Sequence, residues 1–227
     1  METIRQGGPT RTMVMIQFLL GLCASVGFAW PYLRRAHGLE RLDSRQSYLF
    51  AVNHVSLLDT LLMGALCWRT ACYPILVLGD KRTWHASWVR RLLSSRIGYL
   101  LDRGRINSDR LRQLQAFGRA GRHFHLVVFP EGTRGDGMEV GCCKPGLHYV
   151  AQEARLPIVP VFIENMQFVS TKTERFHPIG GLRKVEVHFG QPIFPEEYLS
   201  LQREEFLEFV RLSIAGAKAA PQPAMVS

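Results

Sequence analysis

Residues 48–67, YLFAVNHVSLLDTLLMGALC, give the clearest indication of the fold of this chain. It begins with an apolar and aromatic run, Tyr48 to Val52, which has the length of a buried strand. After a short corner it continues into a second apolar stretch, Leu57 to Cys67, which predicts a helix. A strand that turns directly into a helix is the repeating unit of an α/β sheet.

The same alternation continues along the chain. Short β-branched runs predict further strands at 74–78, 97–101, 124–129, 158–163 and 185–189. Helical patterns lie between or after them at 84–95, 108–118, 146–154 and 196–215. This order predicts an α/β fold with a mostly parallel or mixed sheet flanked by helices.

An uncharged, largely apolar segment precedes this domain, from Met13 to Leu33. Its length is close to the ~20 residues that a helix needs to cross a bilayer. A cleaved signal peptide is the alternative, although such peptides have a shorter apolar region. Gly21, Gly27 and Pro31 also allow a broken, half-inserted helix. We expect an N-terminal membrane-associated helix.

The basic residues near this segment predict its orientation. More of them follow it than precede it, which places the rest of the chain on the cytoplasmic side: Arg34, Arg35, Arg41 and Arg45. The predicted organisation is a membrane anchor over 1–35, one domain over 36–218 and a disordered tail over 219–227. Trp84 and Trp88 lie on one face of the predicted helix 84–95, which fits either a membrane interface or ordinary core packing.

The composition excludes some classes of protein. Nearly half of the residues are apolar, so the chain is not intrinsically disordered. The five cysteines lack both a C-x-x-C pair and zinc spacing, so neither a disulfide framework nor a zinc site is expected. The net charge of +9 predicts an anionic partner, which could be nucleic acid, a membrane surface or a phosphorylated substrate.

The corner at residues 53–60 holds the first candidate site. His54 and Asp59 lie too far around a continuous helix to meet, but they can meet if His54 precedes the helix and Asp59 lies in its first turn. Ser56 is the predicted N-cap, which would make Asp59 the third helical residue. A carboxylate that holds an imidazole in one tautomer makes it a better base for a hydroxyl proton. The alternative is an ordinary helix cap beside a structural histidine.

The second candidate site is Phe129-Pro130-Glu131-Gly132-Thr133-Arg134, directly after a predicted strand. Ligands of open α/β sheets bind at this end of the strands. Gly132 allows close approach of the backbone, and Arg134 can hold a phosphate with two hydrogen bonds. A solvated Pro-Gly turn is the alternative.

Together these motifs resemble the glycerolipid acyltransferase family, typified by 1-acyl-sn-glycerol-3-phosphate acyltransferase. The family's N-H-x-S-x-x-D block matches Asn53 to Asp59, and its F-P-E-G-T-R block is complete at Phe129 to Arg134. Its Lys-x-Gly matches Lys144 and Gly146, and its Pro-x-x-Pro segment falls at 157–160. The G-x-x-F-I-D-R block is matched only in part, ending at Asp102 and Arg103. The resemblance covers roughly residues 48–191.

The resemblance implies an O-acyltransferase. Its base would be His54, oriented by Asp59. It also implies residues that bind the acceptor's phosphate: Arg103, Glu131, Gly132, Thr133, Arg134 and Lys144. The implied reaction moves a fatty acyl group from acyl-CoA or acyl carrier protein to 1-acyl-sn-glycerol 3-phosphate and gives phosphatidic acid. No metal or cofactor is expected, and the implied partners are a membrane lipid and the acyl carrier.

Several alternatives stay open at this stage. The same chemistry could act on a lyso-ornithine lipid, another lysophospholipid or glycerol 3-phosphate. A non-catalytic membrane-binding scaffold would use the basic and Trp-rich surface alone. A nucleic-acid-binding module is not favoured, because the basic stretch around Arg103 lacks interleaved aromatic residues. The oligomeric state is not predicted.

Overall fold

The computed structural model describes residues 11–80, 98–101, 123–171, 173 and 175–218. The predictions for 84–95, 108–118 and 219–227, and that for Arg103, lie outside these residues. The described part contains a seven-stranded sheet. Its strands are β1 Leu33–His37, β2 Leu49–Val52, β3 Ile75–Asp80, β4 Gly98–Leu101, β5 His125–Val128, β6 Ile158–Glu164 and β7 Val185–Phe189.

The sheet is mixed, as predicted. The strand order is β1-β7-β6-β2-β5-β3-β4. The five strands from β6 to β4 are parallel, whereas β7 runs antiparallel to β6 and β1 runs parallel to β7. Strand β2 therefore lies at the centre, where its carboxyl end adjoins those of β5 and β6.

Helices pack on both faces of the sheet. They are α1 Arg11–Ala24, α2 Leu58–Arg69, α3 Gly146–Ala154, α4 Pro195–Tyr198 and α5 Arg203–Gly216. The single helix predicted over 196–215 is wrong, because two helices cover this range. At the end of α4, the hydroxyl of Tyr198 donates to the Leu156 carbonyl at 2.9 Å. The chain then leaves the helix, and Gln202, which has an extended backbone, is the N-cap of α5.

Two apolar cores lie on opposite faces of the sheet. Alternate residues of β2 point to opposite sides, so Phe50 and Val52 face one core while Leu49 and Ala51 face the other. The first core is closed by α2 and by the end of the N-terminal segment, and the second by α3 and α5. Strands buried on both faces explain the continuous apolar runs in the sequence.

The N-terminal segment is helical and packs on the domain. After α1 the chain forms a π-helical stretch, Ser25–Ala29, and a final helical turn, Trp30–Tyr32, before β1. The helical run Val14–Tyr32 is long and apolar enough to cross a membrane by length and composition. The side-chain amide of Gln17 bonds both the carbonyl and the N–H of Ile75 at 2.9 Å, which fixes α1 beside β3. Strand β1, which the sequence did not predict, begins directly where this segment ends.

Candidate active site

The two sequence motifs meet at the carboxyl ends of the central strands. His54 follows β2, and the segment from Phe129 follows β5, its neighbour. Asn53 fixes this corner by bridging to β6. Its side chain accepts the N–H of Ile163 at 2.6 Å and donates to the carbonyl of Ile163 at 3.0 Å. The end of β2 is therefore fixed to β6 by two side-chain hydrogen bonds.

His54 and Asp59 form the predicted pair. The Nδ1 atom of His54 lies 2.8 Å from Oδ2 of Asp59, whose side chain is fully buried. Because a carboxylate only accepts, Nδ1 carries the proton and Nε2 keeps its lone pair. No described residue hydrogen-bonds Nε2, and the His54 side chain is 14% exposed. The ring can therefore accept a proton from a bound hydroxyl group.

The start of α2 holds Asp59 in this position. Its Oδ2 also accepts the N–H groups of Val55 and Ser56, at 2.7 and 2.9 Å. The prediction for Ser56 is wrong, since α2 begins at Leu58 and its N-cap is Leu57. The Ser56 hydroxyl only accepts the N–H of Leu58, at 3.3 Å. Asp59 is thus the second helical residue, and its carboxylate provides the acceptor for the corner in place of serine.

Glu131 connects the second motif to the first. Its Oε1 accepts the backbone N–H of His54 at 3.0 Å, and its Oε2 accepts that of Gly141 at 3.2 Å. Burial raises the pKa of Glu131, while the bonds from these two N–H groups act to lower it. Both carboxylate oxygens are therefore engaged by the backbone. This geometry supports a positioning role for Glu131.

Phe129 supports the imidazole from one side. Its ring stacks on that of His54, with centroids 4.1 Å apart and an interplanar angle of 23°. Such contact restricts the rotation of His54 about its side-chain bonds. From the sequence, Phe129 was predicted only as the first residue of the second motif. The signal for its contact with His54 was its position at the end of a predicted strand, as His54 follows β2.

The remaining residues of the second motif form the turn next to His54. Gly132 has a φ of +63°, a conformation that favours glycine. Thr133 and Lys144 are exposed, and Arg134 is half-buried. The N–H of Gly135 donates to the His54 carbonyl at 2.7 Å, so the turn follows the histidine closely. The structure therefore brings His54, Asp59 and residues 131–134 into one site.

Among the described residues, one group of metal-ligand type lies elsewhere, on β1 and β7. His37, Glu186 and His188 place their ligand atoms within 4.8 Å of one another. The two imidazole rings are stacked 4.7 Å apart at 10°. A metal ion lies near the plane of each imidazole that binds it, and two stacked rings share no such plane. His37 instead bonds Glu186 at 3.0 Å, which joins β1 to β7.

An apolar cavity lies between the N-terminal segment and α2. Its volume is about 290 Å³. Thr60, Leu61 and Gly64 line it from α2, while Leu20 and Phe28 line it from the N-terminal segment. Thr60, one of its lining residues, directly follows Asp59 in the sequence.

The sheet and the pair define an α/β protein with a His-Asp pair at the carboxyl end of its central strand. The profile of the Acyltransferase family matches residues 34–164. This is more than half of the 227 residues, and the chain therefore belongs to the Acyltransferase family, as the motifs predicted.

Curated relatives carry related names. The chain is 29% identical over 157 residues to the probable 1-acyl-sn-glycerol-3-phosphate acyltransferase of Mycoplasma pneumoniae, covering 66% of this chain and 58% of that protein. It is 31% identical over 156 residues to the lyso-ornithine lipid O-acyltransferase of Pseudomonas aeruginosa, covering 68% and 55%. The chain spans little more than half the length of these relatives.

A solved structure has the same fold. The crystal structure of the 1-acyl-sn-glycerophosphate acyltransferase PlsC from Thermotoga maritima superposes with a TM-score of 0.64. The match covers 92% of this chain and 81% of that one, at 21% sequence identity. The predicted fold class is confirmed.

Proposed function

We propose that this protein transfers a fatty acyl group from an acyl thioester to the hydroxyl of a lysophospholipid-type acceptor, with 1-acyl-sn-glycerol 3-phosphate as the preferred acceptor. The observation that carries the proposal is the 2.8 Å contact between Nδ1 of His54 and the buried carboxylate of Asp59. It supplies an imidazole in the tautomer that a general base requires.

The reaction needs one proton transfer at this imidazole. Nε2 of His54 takes the proton of the acceptor hydroxyl while its oxygen attacks the thioester carbonyl carbon. A carbon–oxygen bond forms, the carbon–sulfur bond breaks, and the thiolate leaves and takes up a proton. Asp59 stabilises the imidazolium that exists between these steps. Because a thiolate is a good leaving group, the chain's residues suffice without metal activation of the donor.

The turn after β5 supports a phosphate-bearing acceptor. Arg134 and Thr133 lie in the turn whose Gly135 N–H contacts the His54 carbonyl. A guanidinium group can bind a phosphate with two parallel hydrogen bonds, and Lys144 adds a further exposed cation. The acceptor phosphate would then be anchored a short distance from the base. Arg103 stays a predicted contributor to the same function.

The apolar cavity between the N-terminal segment and α2 suits an acyl chain. Most of its lining is apolar, and Thr60, which follows Asp59 in the sequence, is one of its few polar residues. We assign it to the acyl chain of the donor or the acceptor. The depth of this cavity would set the chain length.

The packing of the N-terminal segment favours a half-inserted anchor. Gln17 bonds Ile75, and a side chain at Gly21 would collide with Trp68, so α1 lies along the domain. The opposite side exposes apolar side chains, at Met15, Leu19 and Val26. Because the N-terminal segment is held against the domain along its length, its exposed side lies in one leaflet of the bilayer. We propose that the domain lies on the cytoplasmic face.

Acyl transfer tests the reaction directly. A labelled acyl group would be supplied as acyl-CoA or as acyl carrier protein, with 1-acyl-sn-glycerol 3-phosphate, lyso-ornithine lipid and glycerol 3-phosphate as acceptors. Wild type should transfer to the first acceptor, His54→Ala should not, and His123→Ala, at an exposed histidine, should behave as wild type. Arg134→Ala should raise KM for phosphate-bearing acceptors more than for lyso-ornithine lipid, which has no phosphate. Absence of transfer from both donors would favour the scaffold.

Reporter fusions test the anchor. Reporters at the two termini should both be found in the cytoplasm if the segment is half-inserted. Reporters on opposite sides would establish a full span instead.

A further inference from the structure

The segment between β6 and β7 exposes apolar side chains. Phe168, Phe176, Ile179 and Leu182 are all exposed, and Ile179 is 82% accessible to solvent. Ile179 lies beside Phe168, because both line one open depression. The sequence around them is basic, with Lys172, Arg175, Arg183 and Lys184 against Glu174. We call Phe168, Phe176, Ile179 and Leu182 the apolar rim.

The apolar rim is attached to the end of the N-terminal segment. The ring of Phe176 contacts that of Tyr32 at 5.9 Å between centroids. The Arg183 N–H donates to the Pro31 carbonyl at 3.0 Å, and its guanidinium lies 6.0 Å from the ring centre of Trp30. Trp30 is 70% exposed. The rim and this end of the N-terminal segment therefore lie at the same height relative to a membrane.

The rim is also continuous with the turn of the candidate site. Gln167, next to Phe168, donates to the sulfur of Met138 at 4.0 Å. Met138 is exposed and belongs to the loop that starts at Glu131. The exposed apolar side chains therefore run from Trp30 past the rim to the loop of the second motif.

We propose that the apolar rim is a second membrane contact, which inserts into the interface of an anionic bilayer. This contact orients the turn after β5, residues 131–134, toward the lipid surface. This inference rests on the proposed function, since it requires a membrane enzyme. Exposed apolar side chains flanked by cations, with an adjoining Trp, fit the headgroup region of such a bilayer. The continuity with the N-terminal segment favours lipid over a second copy of the chain. Contact there would bring lipid acceptors to the site without their leaving the membrane.

Fluorescent labelling at one position tests the contact. Ile179→Cys would be labelled with a polarity-sensitive dye in a chain whose exposed Cys23 and Cys142 are replaced by serine. Cys67 and Cys72 are buried, and burial raises the pKa of Cys143 to about 12, so these thiols should not react at neutral pH. Leu212→Cys on α5, an exposed leucine on a different part of the surface, is the matched control.

The labelled proteins would be bound to phosphatidylcholine vesicles with and without phosphatidylglycerol. The dye at 179 should shift to the blue and resist an aqueous quencher in the anionic vesicles, while the dye at 212 should do neither. Equal quenching at both positions in protein that floats with the vesicles would overturn the inference. Protection at 179 that depends on protein concentration and not on lipid would assign the rim to a second copy.

An activity measurement separates this inference from the reaction itself. Ile179→Ser with Leu182→Ser should lose several-fold in activity on an acceptor embedded in vesicles and retain activity on a soluble short-chain acceptor. Leu212→Ser should change neither. Equal loss on both acceptors would contradict a surface role. Inactivity of wild type on both would instead reject the proposed function.

Discussion

The Oε1 atom of Glu131 accepts the backbone N–H of His54 at 3.0 Å. This single contact joins the loop after β5 to the corner after β2. The other oxygen of the same carboxylate accepts the N–H of Gly141. Glu131 therefore joins its own loop to the backbone at both His54 and Gly141. The glutamate of the second motif therefore helps to fix the position of His54.

Glu131→Ala should lower kcat by roughly 10- to 100-fold and change KM less. The substitution removes two charge-assisted hydrogen bonds, each worth about 1.5–3 kcal/mol, and lets the His54 backbone shift. Glu131→Gln keeps an acceptor for one N–H and should lose less. Steady-state kinetics with both substrates would measure this, with the exposed Glu139→Ala as the control. A rise in KM at unchanged kcat would mean that Glu131 contacts the acceptor.

Asp59→Asn should reduce kcat by about 10²- to 10⁴-fold, because an amide cannot stabilise the imidazolium and can donate to Nδ1 in the wrong tautomer. The two backbone N–H groups that Asp59 accepts can still bond the amide oxygen, so folding should survive. Both the magnitude of kcat and its dependence on pH should change. Asp43→Asn, at an exposed aspartate, is the matched control. Retained activity with a folded circular dichroism spectrum would exclude this role for Asp59.

The site was predictable from sequence where its contacts are local. His54 and Asp59 lie on one corner, so the strand-to-helix pattern sufficed to pair them. The helix start was assigned to Ser56 because serine is a favoured cap, but the Asp59 carboxylate accepts the N–H groups of Val55 and of Ser56 itself, and the helix begins only at Leu58. The bonds of Glu131 to His54 and of Asn53 to Ile163 join distant parts of the chain. No local pattern encodes them.

The strands show the same limit. Val185–Phe189 was predicted with its observed bounds because it alternates between β-branched and other residues. Strand β1, Leu33–His37, was missed because it contains two arginines and adjoins the apolar segment. It is an edge strand, where charged side chains can extend into solvent. At the gap between α4 and α5, Tyr198 makes a tertiary hydrogen bond to Leu156, a contact that helical periodicity cannot reveal.

Gly132→Ala should destabilise the protein by roughly 1–2 kcal/mol and weaken acceptor binding. Its φ of +63° is unfavourable for alanine, and the new Cβ would lie 3.1 Å from Cγ of Lys144. Thermal or urea unfolding and KM for the acceptor would measure the two effects. Gly216→Ala at the end of α5, where a Cβ would meet nothing, is the control and should not destabilise. Equal stability of both variants would contradict the strain at Gly132.

Gly64→Leu should shift the preference toward shorter acyl chains. Gly64 lines the apolar cavity, and a Cβ there would meet only Ile75, at 3.8 Å, so the larger side chain can extend into the space. Leucine is also a better helix former than glycine, so α2 should remain intact. Competition between acyl thioesters of different length would measure the shift. An unchanged length profile would remove this cavity from the acyl path.

His125 should make the protein less stable as the pH falls. It is fully buried in β5, its Nδ1 accepts the N–H of Tyr48 at 3.3 Å, and burial lowers its pKa from 6.5 to about 3. Below about pH 6.5 the unfolded chain therefore binds a proton at His125, whereas the folded chain does not. The free energy of unfolding should decrease by up to about 1.4 kcal/mol per pH unit down to about pH 3.

His125→Asn keeps an acceptor for Tyr48 but binds no proton, so its unfolding free energy should depend less steeply on pH over that window. His123→Asn, at the neighbouring exposed histidine, should keep nearly the full dependence of wild type. Urea unfolding at a series of pH values measures all three slopes. Parallel curves for wild type and His125→Asn would show that the buried imidazole is not the group that titrates.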